Sequence, residues 1–209
     1  DRDLDFVVRE VAPEARDTER LKHLIRTEED FRQAMLGDER VLQRITQDEE
    51  IFLKVTPSLY FEVLLRRTLT ELQVATHTLE RAGTQNIPVF DTEEVVELLS
   101  RPPVLVYLSQ MLASFTRIHS QVTSVRIRRG IRRRVRYNDM DIDSLIRQLD
   151  TTVEEQRFGL YKRIADVCLF VSGVYSSYTH FYYRYPASGQ LQPMSTGRLR
   201  RSLEDYETE

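Results

Sequence analysis

The chain has 209 residues, 41% hydrophobic and 30% charged, with a formal net charge of −3. That length buries a core without metal or disulfide support, and that balance excludes both a disordered polyelectrolyte and a strongly basic particle. With only 7 glycines and 7 prolines, a many-turned β-sandwich is disfavoured, and the expectation is a mainly all-α fold, an irregular multi-helix bundle forming one domain over 1–209.

A single cysteine, Cys168, has no intramolecular partner, and its neighbours Val167, Leu169, Phe170 and Val171 suggest an inert buried thiol. A reducing compartment follows as an expectation. The chain opens on Asp1-Arg2-Asp3, without the basic and apolar regions of a secretory leader, so a cytoplasmic location is expected. The most apolar run, Val167 to Tyr185, is bordered by Lys162, Arg163 and Asp166 and interrupted by Ser172, Gly173, Ser176, Ser177, Thr179 and His180. A membrane span needs about 20 mostly apolar residues. The run reads as a buried helix, and no membrane association is expected.

In chain order, residues 1–55 are acidic and carry short helical patterns: Leu4, Val7, Val8, Val11; Leu21, Leu24, Ile25; Phe31, Met35; Val41, Leu42, Ile45. Asp17 before Arg20 and Thr27 before Asp30 are expected helix caps, the second strengthened by Glu28, Glu29 and Asp30 at the positive end of the helix dipole. Thr56-Pro57-Ser58 starts the clearest helix, expected to run to about Arg81 and to end at Gly83, with Phe61, Leu65, Thr68, Leu72, Ala75 and Leu79 at helical spacing. After a connector, Asp91 and Glu94 have capping-box spacing for a short helix carrying Val95, Val96, Leu98 and Leu99, stopped by Pro102-Pro103. A long helix is expected over about Val104–Gln121, with Leu108, Met111, Phe115, Ile118 and Val122 on one face. Another spans about Thr152–Tyr183 along Tyr161, Ile164, Ala165, Cys168, Val171, Ser172, Tyr175 and Tyr178, and forms the long-helix core 56–183 with the others. A loop at Arg184–Met194 precedes a last helix from Ser195 to Tyr206, whose pattern runs into the terminus as though the natural chain continued.

The unusual segment is Ser124 to Tyr137, which holds seven arginines and no acid. Val125 and Ile127 alternate with arginines, as do Val135 and Tyr137, which suits an Arg-rich β-hairpin turning near Gly130. The helical alternative aligns Ile127, Ile131 and Val135 but carries Gly130 in its interior at a cost of about 1 kcal/mol. Arg126, Arg128, Arg129, Arg132, Arg133, Arg134, Arg136 and Tyr137 form the candidate anion- or partner-binding site, because guanidinium forks match carboxylate and phosphate oxygens. The favoured partners are acids of this chain or of a second copy, such as Asp1, Asp3, Asp5, Glu28, Glu29, Asp30, Asp48, Glu49, Glu50, Asp139, Asp141 and Asp143. Nucleic acid is the alternative ligand, since a two-stranded ribbon fits a groove.

Zincin, nucleophile-elbow, P-loop and paired Glu-x-x-His motifs are all absent from the sequence, so no catalytic residue, metal ligand or cofactor is expected. A ligand pocket lined by His119, His180, Tyr175 and Tyr178 is a second alternative, requiring two helices to converge. His23 and His77 read as exposed. Asp166, one turn from Lys162, reads as half of an ion pair. The favoured function is non-enzymatic association, chiefly with itself as a homo-oligomer, with nucleic-acid regulation and small-ligand binding as alternatives.

Overall fold

The computed structural model describes residues 1–82, 85–117, 120–128, 131–150 and 152–174. Among them are ten helices and two antiparallel two-stranded sheets, so the fold is mainly α-helical with the expected arginine-rich hairpin. The chain divides into two compact units, Asp1–Thr116 and Arg117–Glu209.

The first unit begins with five short helices: α1 (Arg2–Val11), α2 (Thr18–Thr27), α3 (Glu29–Leu36), α4 (Glu39–Gln47) and α5 (Ile51–Lys54). Each turns an apolar stripe inward, and Val7, Ile25, Leu36, Val41, Ile45 and Val55 are fully buried against Leu59 and Val63 of α6 (Pro57–Leu72). At about 1.5–3 kcal/mol per buried aliphatic side chain, this shared core outweighs the marginal stability of helices four to ten residues long. Asp17 caps α2 through the Arg20 amide at 3.0 Å, and Thr56 caps α6 through the Leu59 amide at 3.3 Å, both as expected. Thr27 does not cap α3. It closes α2, its hydroxyl donating to the His23 carbonyl at 3.0 Å, and Glu28 takes the capping position without a side-chain bond.

Helix α6 ends at Leu72, and the expected helix to Arg81 is replaced by β1 (Thr78–Ala82), paired with β2 (Gln85–Val89). The partners are Thr78↔Val89, Leu79↔Pro88, Glu80↔Ile87, Arg81↔Asn86 and Ala82↔Gln85. The reason lies in packing: Ala75 and Leu79, which extend the helical stripe on paper, are exposed, so nothing rewards continuing the helix past Leu72. Gly83, expected as a helix terminator, lies outside the described residues.

Helix α7 (Thr92–Leu99) starts at Asp91 as expected, but that carboxylate accepts from the Thr78 hydroxyl at 3.0 Å and makes no cap bond. Helix α8 spans Pro102–Ser114, not Val104–Gln121. Pro102 and Pro103 both stop α7 and open α8, since first-turn amides need no intrahelical partner. Leu99 and Leu105 close a second cluster on Leu69 of α6, which thus packs α3 and α4 as well as α7 and α8.

The second unit contains β3 (Ser120–Arg128), β4 (Ile131–Asn138), α9 (Ile142–Leu149) and α10 (Glu154–Val174). Helix α9 was not expected, although Ile142, Leu145, Ile146 and Leu149 have helical spacing. Ile142 and Leu145 are buried, as are Ile164, Val167 and Cys168 of α10, which packs on α9. Cys168 is buried as read, whereas Tyr161 and Ala165 of the expected stripe are exposed. No helix of the described residues is long and apolar enough to cross a membrane. The expected continuation of α10 to Tyr183, the loop Arg184–Met194 and the last helix Ser195–Tyr206 lie outside the described residues.

A buried ionic network locks α3 to α6. Arg66 is only 2% exposed, and its guanidinium donates to Glu62 at 2.9 and 3.1 Å, to Glu29 at 2.8 Å and to Gln33. Arg32 forks onto both oxygens of the same Glu62 carboxylate. Burial pushes Glu62 upward, but the Arg32 hydrogen bond and the charges of Arg32 and Arg66 outweigh it and hold the carboxyl below its usual value. Its stabilisation is therefore complete above the unfolded value of about 4.3 and is lost as pH falls through the lower folded value. Glu62→Ala should lower the unfolding free energy by about 3 kcal/mol in urea denaturation at pH 7, because two cations lose their shared carboxylate. The deficit should shrink below about pH 4 as wild type loses the same charge; an undiminished deficit there would remove the electrostatic account.

Candidate functional site

Strand pairing sorts the arginines. The partners are Ser120↔Asn138, Gln121↔Tyr137, Val122↔Arg136, Thr123↔Val135, Ser124↔Arg134, Val125↔Arg133, Arg126↔Arg132 and Arg128↔Ile131, with an irregularity between Arg126 and Arg128. Directly opposed residues share a face, and alternate residues along a strand return to it. One face therefore carries Arg126, Arg132, Arg134 and Arg136 with Val122 and Ser124. The other carries Gln121, Thr123, Val125, Ile131, Arg133, Val135 and Tyr137, with Arg128 opposed to Ile131. The hairpin is a two-faced ribbon, with four of its arginines grouped on one side and Val125, Ile131, Val135 and Tyr137 on the other.

Along β4, Arg132, Arg134 and Arg136 recur every second residue, at about 6.8 Å per step for an extended strand. Arg126 stands directly across from Arg132. Like charges so opposed destabilise a strand pair unless an anion lies between them. Val122, on this same face, is 63% exposed, so the face is open to solvent at that position. Arg129 lies outside the described residues, and Arg128 sits beyond the irregularity, opposite Ile131.

The foot of the ribbon is held by the second unit's helices. Asn138 ends β4, and the next residue, Asp139, receives Arg163 of α10 twice: Nε donates to its carbonyl at 2.9 Å and Nη2 to its carboxylate at 3.2 Å. Sequence reasoning missed Arg163 because a contact 24 residues away leaves no local signal. At the start of α9 the Asp141 carboxylate accepts from the Ser144 hydroxyl. Asp166, 4% exposed, accepts from Lys162 at 2.8 Å, the ion pair its spacing implied.

The acids proposed as arginine partners are largely engaged elsewhere. Within the first unit Asp1 pairs with Arg26, Asp5 with Lys22, Glu29 with Arg66 and Asp48 with Lys54, while Asp3 accepts the Thr56 amide and hydroxyl. Glu28, Asp30, Glu49 and Glu50 are exposed. Charge is nevertheless divided between the units: residues 1–116 hold 22 acids and 14 bases, net −8, and residues 117–209 hold 11 and 16, net +5.

The ligand-pocket residues His119, His180, Tyr175 and Tyr178 lie outside the described residues. His23 and His77 are exposed, His77 preceding β1 with its ring 5.7 Å from that of Phe90. Among the described residues no three His, Cys, Asp or Glu side chains gather as metal ligands would. A cleft of about 360 Å³ in the first unit is lined by Asp1, Asp3, Arg32, Thr56 and Glu62, of which Arg32 pairs with Glu62, Asp3 accepts from Thr56 and Asp1 pairs with Arg26. No family model, curated protein or solved structure matches this chain.

Arg163→Ala should leave the fold intact while loosening the ribbon's foot, because it removes two charge-assisted bonds worth about 1.5–3 kcal/mol each. Hydrogen exchange should accelerate in β4 near Asn138 with little change in α3 and α6. Equal acceleration throughout would show instead that Arg163 holds the whole chain.

Proposed function

We propose that this chain is a non-enzymatic protein that acts by association, using the arginine face of the β3–β4 ribbon to bind carboxylates of another protein, chiefly a second copy of itself. The observation that carries this reading is the register, which groups Arg126, Arg132, Arg134 and Arg136 on one face of a unit with net charge +5. Guanidinium forks bind carboxylates bidentately, and a partner's acids relieve the like-charge pairing of Arg126 with Arg132. The −8 balance of residues 1–116 supplies a surface of opposite sign in every other copy. A single cysteine, Cys168, buried and with no second cysteine to form a disulfide within the chain, agrees with a reducing, cytoplasmic setting.

Light scattering in low and high salt tests this. Wild type should exceed monomer mass in low salt and fall toward it at high ionic strength, as screening weakens exposed pairs. Arg132→Ser with Arg134→Ser and Arg136→Ser should be monomeric in low salt, whereas Arg133→Ser, on the opposite face, should assemble as wild type does. A mass insensitive to salt and to the triple substitution removes the ribbon from the interface. Assembly appearing only with a mixed-sequence DNA duplex, and vanishing steeply with salt, reassigns the ribbon to nucleic acid.

A further inference from the structure

The first unit carries a surface whose chemistry is the reverse of the ribbon's. In β1–β2 both faces of the hairpin are open: Leu79 and Ile87 lie on opposite faces, are 64% and 47% exposed, and are followed by Phe90 at 78%. An isolated two-stranded hairpin is marginal in water and gains from being covered. The Thr78–Asp91 hydrogen bond joins its base to the start of α7, whose outer positions are Glu93, Glu94 and Glu97. Glu80, Glu93 and Glu94 are exposed and form no ion pair among the described residues, in contrast to Asp5 of α1 and Glu29 of α3. Glu97 pairs with Arg101 at 2.7 Å, but both are exposed, and an exposed i,i+4 pair is worth only about 0.3–0.5 kcal/mol. It exchanges readily for a better partner.

We infer that the β1–β2 hairpin and α7 of one copy receive the arginine face of the β3–β4 ribbon of the next, a reading that rests on the association proposed above. The spacings agree. Carboxylates at 93 and 97 are one helical turn apart, about 6 Å along the axis, against about 6.8 Å between alternate arginines on a strand. The exposed apolar side chains beside the acids offer the desolvated centre that a charged contact alone lacks, and Val122 presents an apolar group on the arginine face. Because donor and receiver are different patches of one chain, the contact is heterologous. Each copy has one of each, so two copies joined by one contact retain a donor and a receiver, which either close reciprocally on the same pair or extend the assembly to a ring or an open chain.

Mixing two defective variants tests this. One lacks the donor (Arg132→Ser, Arg134→Ser, Arg136→Ser); the other lacks the receiver (Glu93→Gln, Glu94→Gln, Glu97→Gln). Circular dichroism melts establish that each is folded. In low salt each alone should remain at the monomer mass of 24.7 kDa, and an equimolar mixture should double it and grow no further, since each pair retains one intact contact. A receiver variant that assembles like wild type while the donor variant does not would overturn this inference and leave the ribbon's role standing. Assembly retained by both variants would remove both readings. A mixture that stays monomeric would show that the two patches are not each other's partners. Phe90→Ser, which leaves every charge in place, should raise the concentration needed for half-assembly about tenfold; no change would take the apolar centre out of the contact.

Discussion

The first unit depends on one guanidinium. Arg66 sits inside the helical array and cannot return to water, so Glu62, Glu29 and Gln33 must be where its donors point. Burying such charges costs several kcal/mol per ion, recovered only when geometry satisfies every donor. Helix α3 is thereby held in one axial and rotational position on α6. From the opposite end Asp3 of α1 takes the amide and hydroxyl of Thr56, fixing where α6 begins. Aliphatic packing supplies the driving force but tolerates sliding; these directional bonds select one arrangement among many that bury similar area. With α6 placed, its far end offers Leu69 to α7 and α8, and the β1–β2 hairpin is carried on that end.

In the second unit the comparable constraint is register. Strand residues alternate faces, so a slip by one would move Arg132, Arg134 and Arg136 from the side of Val122 and Ser124 to that of Thr123 and Val125. Arg163, reaching from α10 to Asp139, pins the strand end nearest the helices and with it the alternation above. The result is that Arg126, Arg132, Arg134 and Arg136 share one face of the ribbon, the grouping on which the proposed association rests.

Particular residues show how far local chemistry reaches. Asp17, Thr56 and Pro57 mark helix starts because a side-chain oxygen and a missing amide act within three residues, and no distant packing competes with them. Thr27 has the same chemistry but bonds backward to His23, since a hydroxyl at a helix end serves either neighbour and the turn between α2 and α3 decides which. Gly83 suits a helix terminator and equally a two-residue hairpin connection, and only the exposure of Ala75 and Leu79 distinguishes the two. Pro102 and Pro103 were legible as a stop but not as a start, although the physics of a missing amide is identical. The arginine site was legible as a segment, because bias of seven arginines without an acid needs no structure to notice; its division into two faces was not.

The sequence by itself determined the helical class, the lone buried thiol, the Lys162–Asp166 pair and the arginine hairpin, all of which arise from composition or from neighbours a turn apart. Only the tertiary structure decided that Arg66 is interior, that Arg163 holds the foot of the ribbon, that Asp91 serves Thr78 instead of its own helix, and that residues 78–89 leave the helix for a strand pair. The first three rest on contacts such as Thr78–Asp91, Arg163–Asp139 and Arg66–Glu29, which join residues 13, 24 and 37 positions apart. Partners that distant are chosen by which surfaces meet when the apolar stripes are buried, and nothing in the local chain distinguishes the side chain that will meet one from the side chain that will not.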